Sequence, residues 1–124
     1  MNYISTKKAP AAIGPYSQAI NIANMIFTSG QIPLKADGTL LEGDIAEQTK
    51  QVLTNLSEVL KEGGSSLENV VKTTIFLANM DDFAEVNRVY AEFFTSHKPA
   101  RSTVAVKTLP LNVCIEIEAI AIKL

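Results

Sequence analysis

Cysteine and histidine occur once each in the 124 residues, as Cys114 and His97. A single thiol closes no disulfide within the chain, which fits a reducing cytosol. Two such residues are also too few for a thiolate or imidazole metal site in one chain. Charge is sparse: charged residues make up 19 %, the formal net charge is -2, and no run of lysine and arginine occurs. That argues against nucleic acid as the main partner. A ribonuclease reading is further disfavoured by the lack of paired histidines or a metal site. Long apolar runs are missing as well. The opening stretch MNYISTKKAPAAIGPYS holds none of the length that a signal peptide uses, and nothing later approaches a membrane span. These absences lead to the expectation of a cytoplasmic protein with no metal and no membrane contact.

What is present is a core. Hydrophobic residues make up 47 %, enough for one ordinary domain spanning residues 1–124. After an irregular start containing Pro10, Gly14 and Pro15, Tyr16 to Ala23 alternates as a strand should, and Ala23-Asn24 turns into a second strand, MIFTSG, ending at Gly30. QIPLKADGTLLEG reads as a loop. Asp44 followed by Glu47 is a capping-box signature, and apolar residues from Ile45 to Leu60 keep helical spacing until Gly63-Gly64. Val70 to Ala78 is β-branched and strand-like. Asp82 and Glu85 repeat the cap before a second helix through Phe94. Two last strands follow Pro99, roughly Ser102 to Lys107 and Asn112 to Ile122. The order is ββαβαββ, an α+β arrangement, with each helix joining parallel neighbours and both helices on one face of the sheet.

The closing stretch VCIEIEAIAIKL carries a tension. Val113, Ile115, Ile117, Ala119 and Ala121 share one face; Cys114, Glu116, Glu118, Ile120 and Ile122 share the other. Both faces are mostly apolar, yet the helices can cover only one, so another copy of the chain is expected against the second. A buried carboxylate without a partner costs several kcal/mol or gives up its charge, so the glutamates need an explanation. One of them meeting solvent and the other an Arg101 or Lys72 partner is the default. A division of acid and base work is the alternative. Arg101, in PARSTV, offers a planar fork for a carboxylate, though by spacing alone a surface ion pair is commoner. Ser29-Gly30 either bends the chain out of the sheet or lets a ligand approach the backbone. Tyr16 suits a packed lid, His97 a surface position beyond a helix end, and Cys114 an inert place on an apolar strand.

Four stretches together, APAAIGPYSQA, MIFTSGQIP, VVKTTIFLANMDDFAEVN and PARSTV with IEIEAIAI, resemble in order the pattern of the RidA family, also called the YjgF or reactive intermediate deaminase family. The resemblance spans nearly the whole chain. It implies a chorismate-mutase-like fold and a homotrimer in which the sheets build a central barrel, with clefts between subunits. It also implies cofactor-free hydrolysis of enamines and imines such as 2-aminoacrylate and 2-aminocrotonate to 2-keto acids and ammonia. In this sequence Arg101 matches the arginine that binds the substrate carboxylate, and Glu116 matches the glutamate that positions the attacking water. That leaves Glu118 structural. Tyr16, Ser29, Gly30 and Asn87 match cleft-lining positions. Thr103 stands where the family often has cysteine, which keeps a hydroxyl at the site and removes a thiol. The rival expectation is a trimeric small-metabolite-binding regulatory module without essential catalysis; it would need the cation at Arg101 but not the acid at Glu116.

Overall fold

In the computed structural model, which describes residues 1–124, the first helix starts where Asp44 and Glu47 cap each other. The Asp44 carboxylate accepts from the Glu47 amide at 2.8 Å, and the Glu47 carboxylate accepts from the Asp44 amide at 3.3 Å. Two of the otherwise unpaired amides of the first turn are thereby satisfied. Helix α1 (Ile45–Glu62) then buries Val52, Leu53, Leu56, Val59 and Leu60 completely, a spacing that lines one side of a 3.6-residue repeat. It stops at Gly63, where a Cβ would come within 2.6 Å of the Ile4 side chain and 2.8 Å of Ile26. Glycine here lets the helix end close onto the sheet.

The second helix, α2 (Phe83–Phe93), begins differently from the sequence expectation. Asp82 makes no cap, because its backbone is already helical (φ -78, ψ -7) and a capping side chain needs an extended one. Asn79 does the work one turn earlier, accepting from the Asp81 amide and opening a short 3-10 turn over Met80–Asp82. Glu85 instead pairs with Arg88 on the helix surface.

The strands are β1 (Asn2–Ile4), β2 (Ala19–Ile22), β3 (Met25–Thr28), β4 (Val70–Leu77), β5 (Ala100–Ala105) and β6 (Ile115–Ile122). They form one mixed sheet in the order β1-β2-β3-β6-β4-β5, parallel only between β4 and β5. The ββαβαββ core is present, with the short edge strand β1 added in front of it. Strand β2 starts at Ala19, not Tyr16, since the Tyr16 amide turns back to the Gly14 carbonyl and the Ser17 carbonyl accepts the Ser29 hydroxyl instead of a ladder amide. Strand β3 ends two residues before Gly30, β5 spans Ala100–Ala105 where residues 102–107 were expected, and β6 begins three residues after Asn112. Helix α2 joins parallel neighbours as expected. Helix α1 does not: β3 and β4 run the same way, but β6 is inserted between them.

Both helices pack on one face, over Ile26, Ile75, Leu77, Ile115 and Ile117, all fully buried. No helix covers the other face, and Ile22, Phe27 and Val104 there remain 43–51 % exposed. Apolar residues this exposed on a contiguous face mark an interaction surface.

Candidate functional site

The end of β3 shapes a cleft. Thr28 closes the strand by accepting the Ala119 amide on its hydroxyl at 2.9 Å. Ser29 then turns away from the ladder: its amide donates to the Gln18 carbonyl at 2.9 Å, and its hydroxyl donates to the Ser17 carbonyl at 2.5 Å. Gln31 returns to the sheet and exchanges both backbone hydrogen bonds with Ile117, at 2.8 and 3.1 Å. Gly30 is the residue in between. A Cβ on it would lie 2.0 Å from a carboxylate oxygen of Glu116 and 2.7 Å from its carboxyl carbon. Only glycine leaves the space that the Glu116 head group occupies.

The resulting cleft has a volume of about 430 Å³ and is lined by Tyr16, Gln18, Ser29, Gly30, Gln31 and Glu116, with Pro10 and Pro110 at its margins. Burial pushes the Glu116 carboxyl above its ordinary pKa, and the charge of Glu118 two residues along adds to the rise. A carboxylate raised in this way is a better proton acceptor near neutral pH than an ordinary one. One wall of the cleft is fixed by Gln18, which is buried. Its carboxamide accepts from the Thr6 amide at 2.7 Å and donates to the carbonyls of Thr6 and Pro10 at 3.1 and 2.8 Å. Beyond Pro110, Leu111 and Asn112 both take left-handed backbone (φ 55 and 56) before the chain enters β6.

Arg101 is elsewhere. Its guanidinium donates to the Asn87 side-chain oxygen at 2.8 Å and lies 4.9 Å from the ring centre of Tyr90 and 5.4 Å from that of Phe83, distances at which an aromatic face attracts a cation. Asn87, Tyr90, Lys98 and Arg101 share a second cavity, of about 410 Å³. Register explains the separation. Arg101 pairs with Thr73, which pairs with Ala119, whereas Glu116 pairs with Phe76. Thr73 faces the helices, because its hydroxyl is 2.7 Å from that of Tyr90 on α2; Phe76 faces away. The two residues therefore project from opposite faces, about 10 Å apart along the strands and about 10 Å across them. Tyr90 itself is held above its ordinary pKa, burial outweighing its bond to Thr73 and the charge of Arg101.

The structure thus brings Glu116, Tyr16, Ser29 and Gly30 together in one cleft and Arg101 and Asn87 in another. Thr103 lines neither. It pairs with Ile75, so it faces the helices, and its hydroxyl is buried without a hydrogen-bond partner. Neither glutamate of β6 is ion-paired; the ion pairs of the chain join Glu58 to Lys61 and Arg88 to Glu85 and Glu92. Glu118 is exposed in the single chain. His97 is half-buried and not a free surface residue: its Nε2 lies 2.5 Å from the Val70 carbonyl, where β4 bulges between Val70 and Lys72. Two cleft residues, Gln18 and Gln31, carry no sequence signal. Each sits inside a quoted motif, but nothing in local spacing separates a buried glutamine from a solvated one.

No helix is long and apolar enough to cross a membrane. Comparison with known proteins gives a consistent picture. The family model described as Endoribonuclease L-PSP matches residues 6–123. A mouse protein named 2-iminobutanoate/2-iminopropanoate deaminase is 50 % identical over 97 % of this chain and 90 % of its own length. An Arabidopsis thaliana protein named Reactive Intermediate Deaminase A, chloroplastic, is 51 % identical over 95 % of this chain and 64 % of its own. Among solved structures, E. coli TdcF with bound serine superposes with a TM-score of 0.94 at 40 % identity, over the full length of both chains.

Proposed function

Because the chain belongs to the RidA family, whose model carries the description Endoribonuclease L-PSP, we propose that it is a deaminase that hydrolyses 2-imino acids, and the enamines that give rise to them, to 2-keto acids and ammonia. One observation carries this reading: the Glu116 carboxylate occupies the space left by Gly30, in a cleft wide enough for water and a small acid, with its proton affinity raised by burial. The chemistry asks for little more. As a water oxygen attacks the imine carbon, Glu116 takes the water's proton and passes it to the nitrogen. The carbinolamine then collapses, expelling ammonia and leaving the keto group. No electrons change hands, so no redox cofactor is called for. Arg101, already stacked and oriented by Asn87, Tyr90 and Phe83, holds the substrate carboxylate while the reacting carbon is attacked.

Arg101 and Glu116 cannot meet within one chain. We therefore place the site between copies, with Arg101 of one copy completing the Glu116 cleft of the next, in a homotrimer whose helix-free sheet faces turn inward. Exposed Ile22, Phe27 and Val104 support that contact. Tyr16, Ser29 and Gly30 line the glutamate side and Asn87 the arginine side. Thr103 acts only through its packing beside Arg101. The setting is the cytoplasm, and the partners are small imino or keto acids. Nucleic acid is disfavoured as a partner by the net charge of -2 and the single histidine.

The test is direct. With 2-iminopropanoate generated from serine by a dehydratase, the protein should speed the release of pyruvate over the buffer rate. No acceleration would put the metabolite-binding module ahead.

A further inference from the structure

Two cations, Lys98 and Arg101, line the cavity beside α2, and no acid does. One wall is the helix face of Asn87, Tyr90, Ala91 and Phe94, residues three and four apart. The other is the segment from Lys98 to Arg101, with its course restricted by the fixed φ of Pro99. Both cations are on the helix side of the sheet. Arg101 lies over the rings of Tyr90 and Phe83, and the Lys98 ammonium donates to the Thr95 carbonyl, just beyond α2, at 3.1 Å. A cation is favoured at a helix C-terminus, but this contact uses one N–H of several. Arg101 likewise donates to the neutral oxygen of Asn87. Arg88 and Lys61, by contrast, are ion-paired with glutamates, whereas neither Lys98 nor Arg101 has an ion pair within the chain. One cavity therefore holds two positive charges on neutral acceptors.

The proposed reaction gives Arg101 the carboxylate next to the imine carbon. That leaves Lys98 with its charge and free donors, and 2-iminopropanoate has no further group to offer it. An imino acid with a second carboxylate at the far end of its side chain has one. Its first carboxylate takes the Arg101 fork and its second the Lys98 ammonium, which swings in on a flexible stem. The methylenes between them pack on Tyr90, Ala91 and Phe94. We propose that the Arg101 cavity takes dicarboxylic 2-imino acids, of the kind derived from aspartate and glutamate, and that Lys98 is the residue that selects them. This inference rests on the deaminase reading for the reaction and on the Arg101 cavity for the selection. Assembly brings one acid to this cavity, Glu116 of the next copy. A lysine paired with that glutamate would lower the proton affinity of the base on every substrate alike, whereas a selecting lysine acts on diacids alone.

The experiment measures the Kd of 2-oxoglutarate and of 2-oxopentanoate, a monoacid of equal carbon number, by calorimetry. It compares the wild-type protein with Lys98→Met, which keeps an apolar stem without the charge, and Lys98→Arg, which keeps the charge. Wild type should bind 2-oxoglutarate about fivefold more tightly than 2-oxopentanoate, the worth of one exposed ion pair. That preference should shrink in about 1 M salt, where screening reaches within about 3 Å. Lys98→Met should bind the two acids alike, and Lys98→Arg should keep the preference. The ratio of kcat/KM on the matching imines, generated from glutamate and norvaline by amino-acid oxidases, should follow the same order. Equal affinity for the two acids in wild type overturns the inference, as does a preference that survives in Lys98→Met. A loss shared by both acids, or a kcat lowered on both imines alike, also overturns it, since that marks a lysine that merely holds the end of α2 or pairs with Glu116. A wild-type protein that shows the preference but hydrolyses neither imine overturns the deaminase reading and leaves the diacid site standing.

Discussion

Arg101 and Glu116 project from opposite faces of one sheet, three residues out of register and two strands apart. No rotamer change brings a guanidinium through a sheet, so a site that uses both is built from two copies. Complementation follows. Mixing Arg101→Ala and Glu116→Gln chains, unfolding and refolding them together should regenerate activity that neither variant has alone. In a one-to-one statistical mixture about a quarter of the sites would carry both native side chains. A mixture as inactive as its components would show that both residues are needed from the same copy.

Assembly is the condition for that result. Light scattering in dilute neutral buffer should give three times the 13.4 kDa chain mass, because the face carrying Ile22, Phe27 and Val104 is too apolar to stay in water. A well-folded monomer would remove the composite site.

Substrate capture should depend on the fork of Arg101 and not on charge alone. Arg101→Ala is expected to weaken binding by about 2–5 kcal/mol, the cost of truncating one member of a desolvated charge pair. Arg101→Lys should recover only part, since a point charge cannot reproduce two parallel hydrogen bonds or the stacking on Tyr90. Initial-rate kinetics over a range of imine concentrations would measure both.

Turnover should depend on Glu116. Glu116→Gln is expected to lower kcat by about 10²–10⁴-fold, the usual worth of a positioned general base, while 2-oxobutanoate binding changes far less. Glu118→Gln should leave turnover at neutral pH nearly intact. If the two outcomes are exchanged, the roles along CIEIEA are reversed.

The pH profile separates the two glutamates further. The base works deprotonated, and burial first, then Glu118, raises its pKa, so activity should fall with acidification above the ordinary carboxylate range. Removing the Glu118 charge should move that limb to lower pH without abolishing the shift, as burial remains. The sign for stability is opposite. The folded chain keeps this proton to higher pH than the unfolded chain, so the contribution to stability is lost as pH rises from the ordinary carboxylate value of 4.5 through the raised one. Thermal unfolding of wild type and Glu116→Gln across that interval would read it.

Gly30→Ala tests the close approach. A methyl group 2.0 Å from the Glu116 oxygen must displace the carboxylate, so turnover should drop toward the level of Glu116→Gln while the fold survives, because the backbone at Gly30 is not left-handed. Unchanged kcat would mean the carboxylate does not act from that position.

Much of the frame is legible in the sequence because it is local. The Asp44–Glu47 cap, the β-branched run at Val70 and the alternation along Ile115–Ile122 all declare themselves within a few residues. Asp82 misleads because a capping side chain is only as good as the backbone under it, and a 3-10 turn has already used that backbone. Strand β1 is hidden by its length: three residues carry no periodicity. The insertion of β6 between β3 and β4 is a long-range pairing that no local pattern encodes. The site divides the same way. Motifs supply Glu116, Gly30 and Arg101, but register places Arg101 and Glu116 on different faces.

Strand β6 alternates between the two halves of the molecule's work. Its odd-numbered positions, Ile115 to Ala121, are sealed under the helices, and its even-numbered ones, Glu116 to Ile122, face the bare side of the sheet. Selection therefore reads neighbouring codons for different traits. In a saturation library over residues 115–122, losses at odd positions should appear as low protein abundance. Losses at even positions should appear in well-expressed protein, as failed catalysis at Glu116 and failed association at Ile120 and Ile122. The strand's two-residue period would then be written into the fitness map itself.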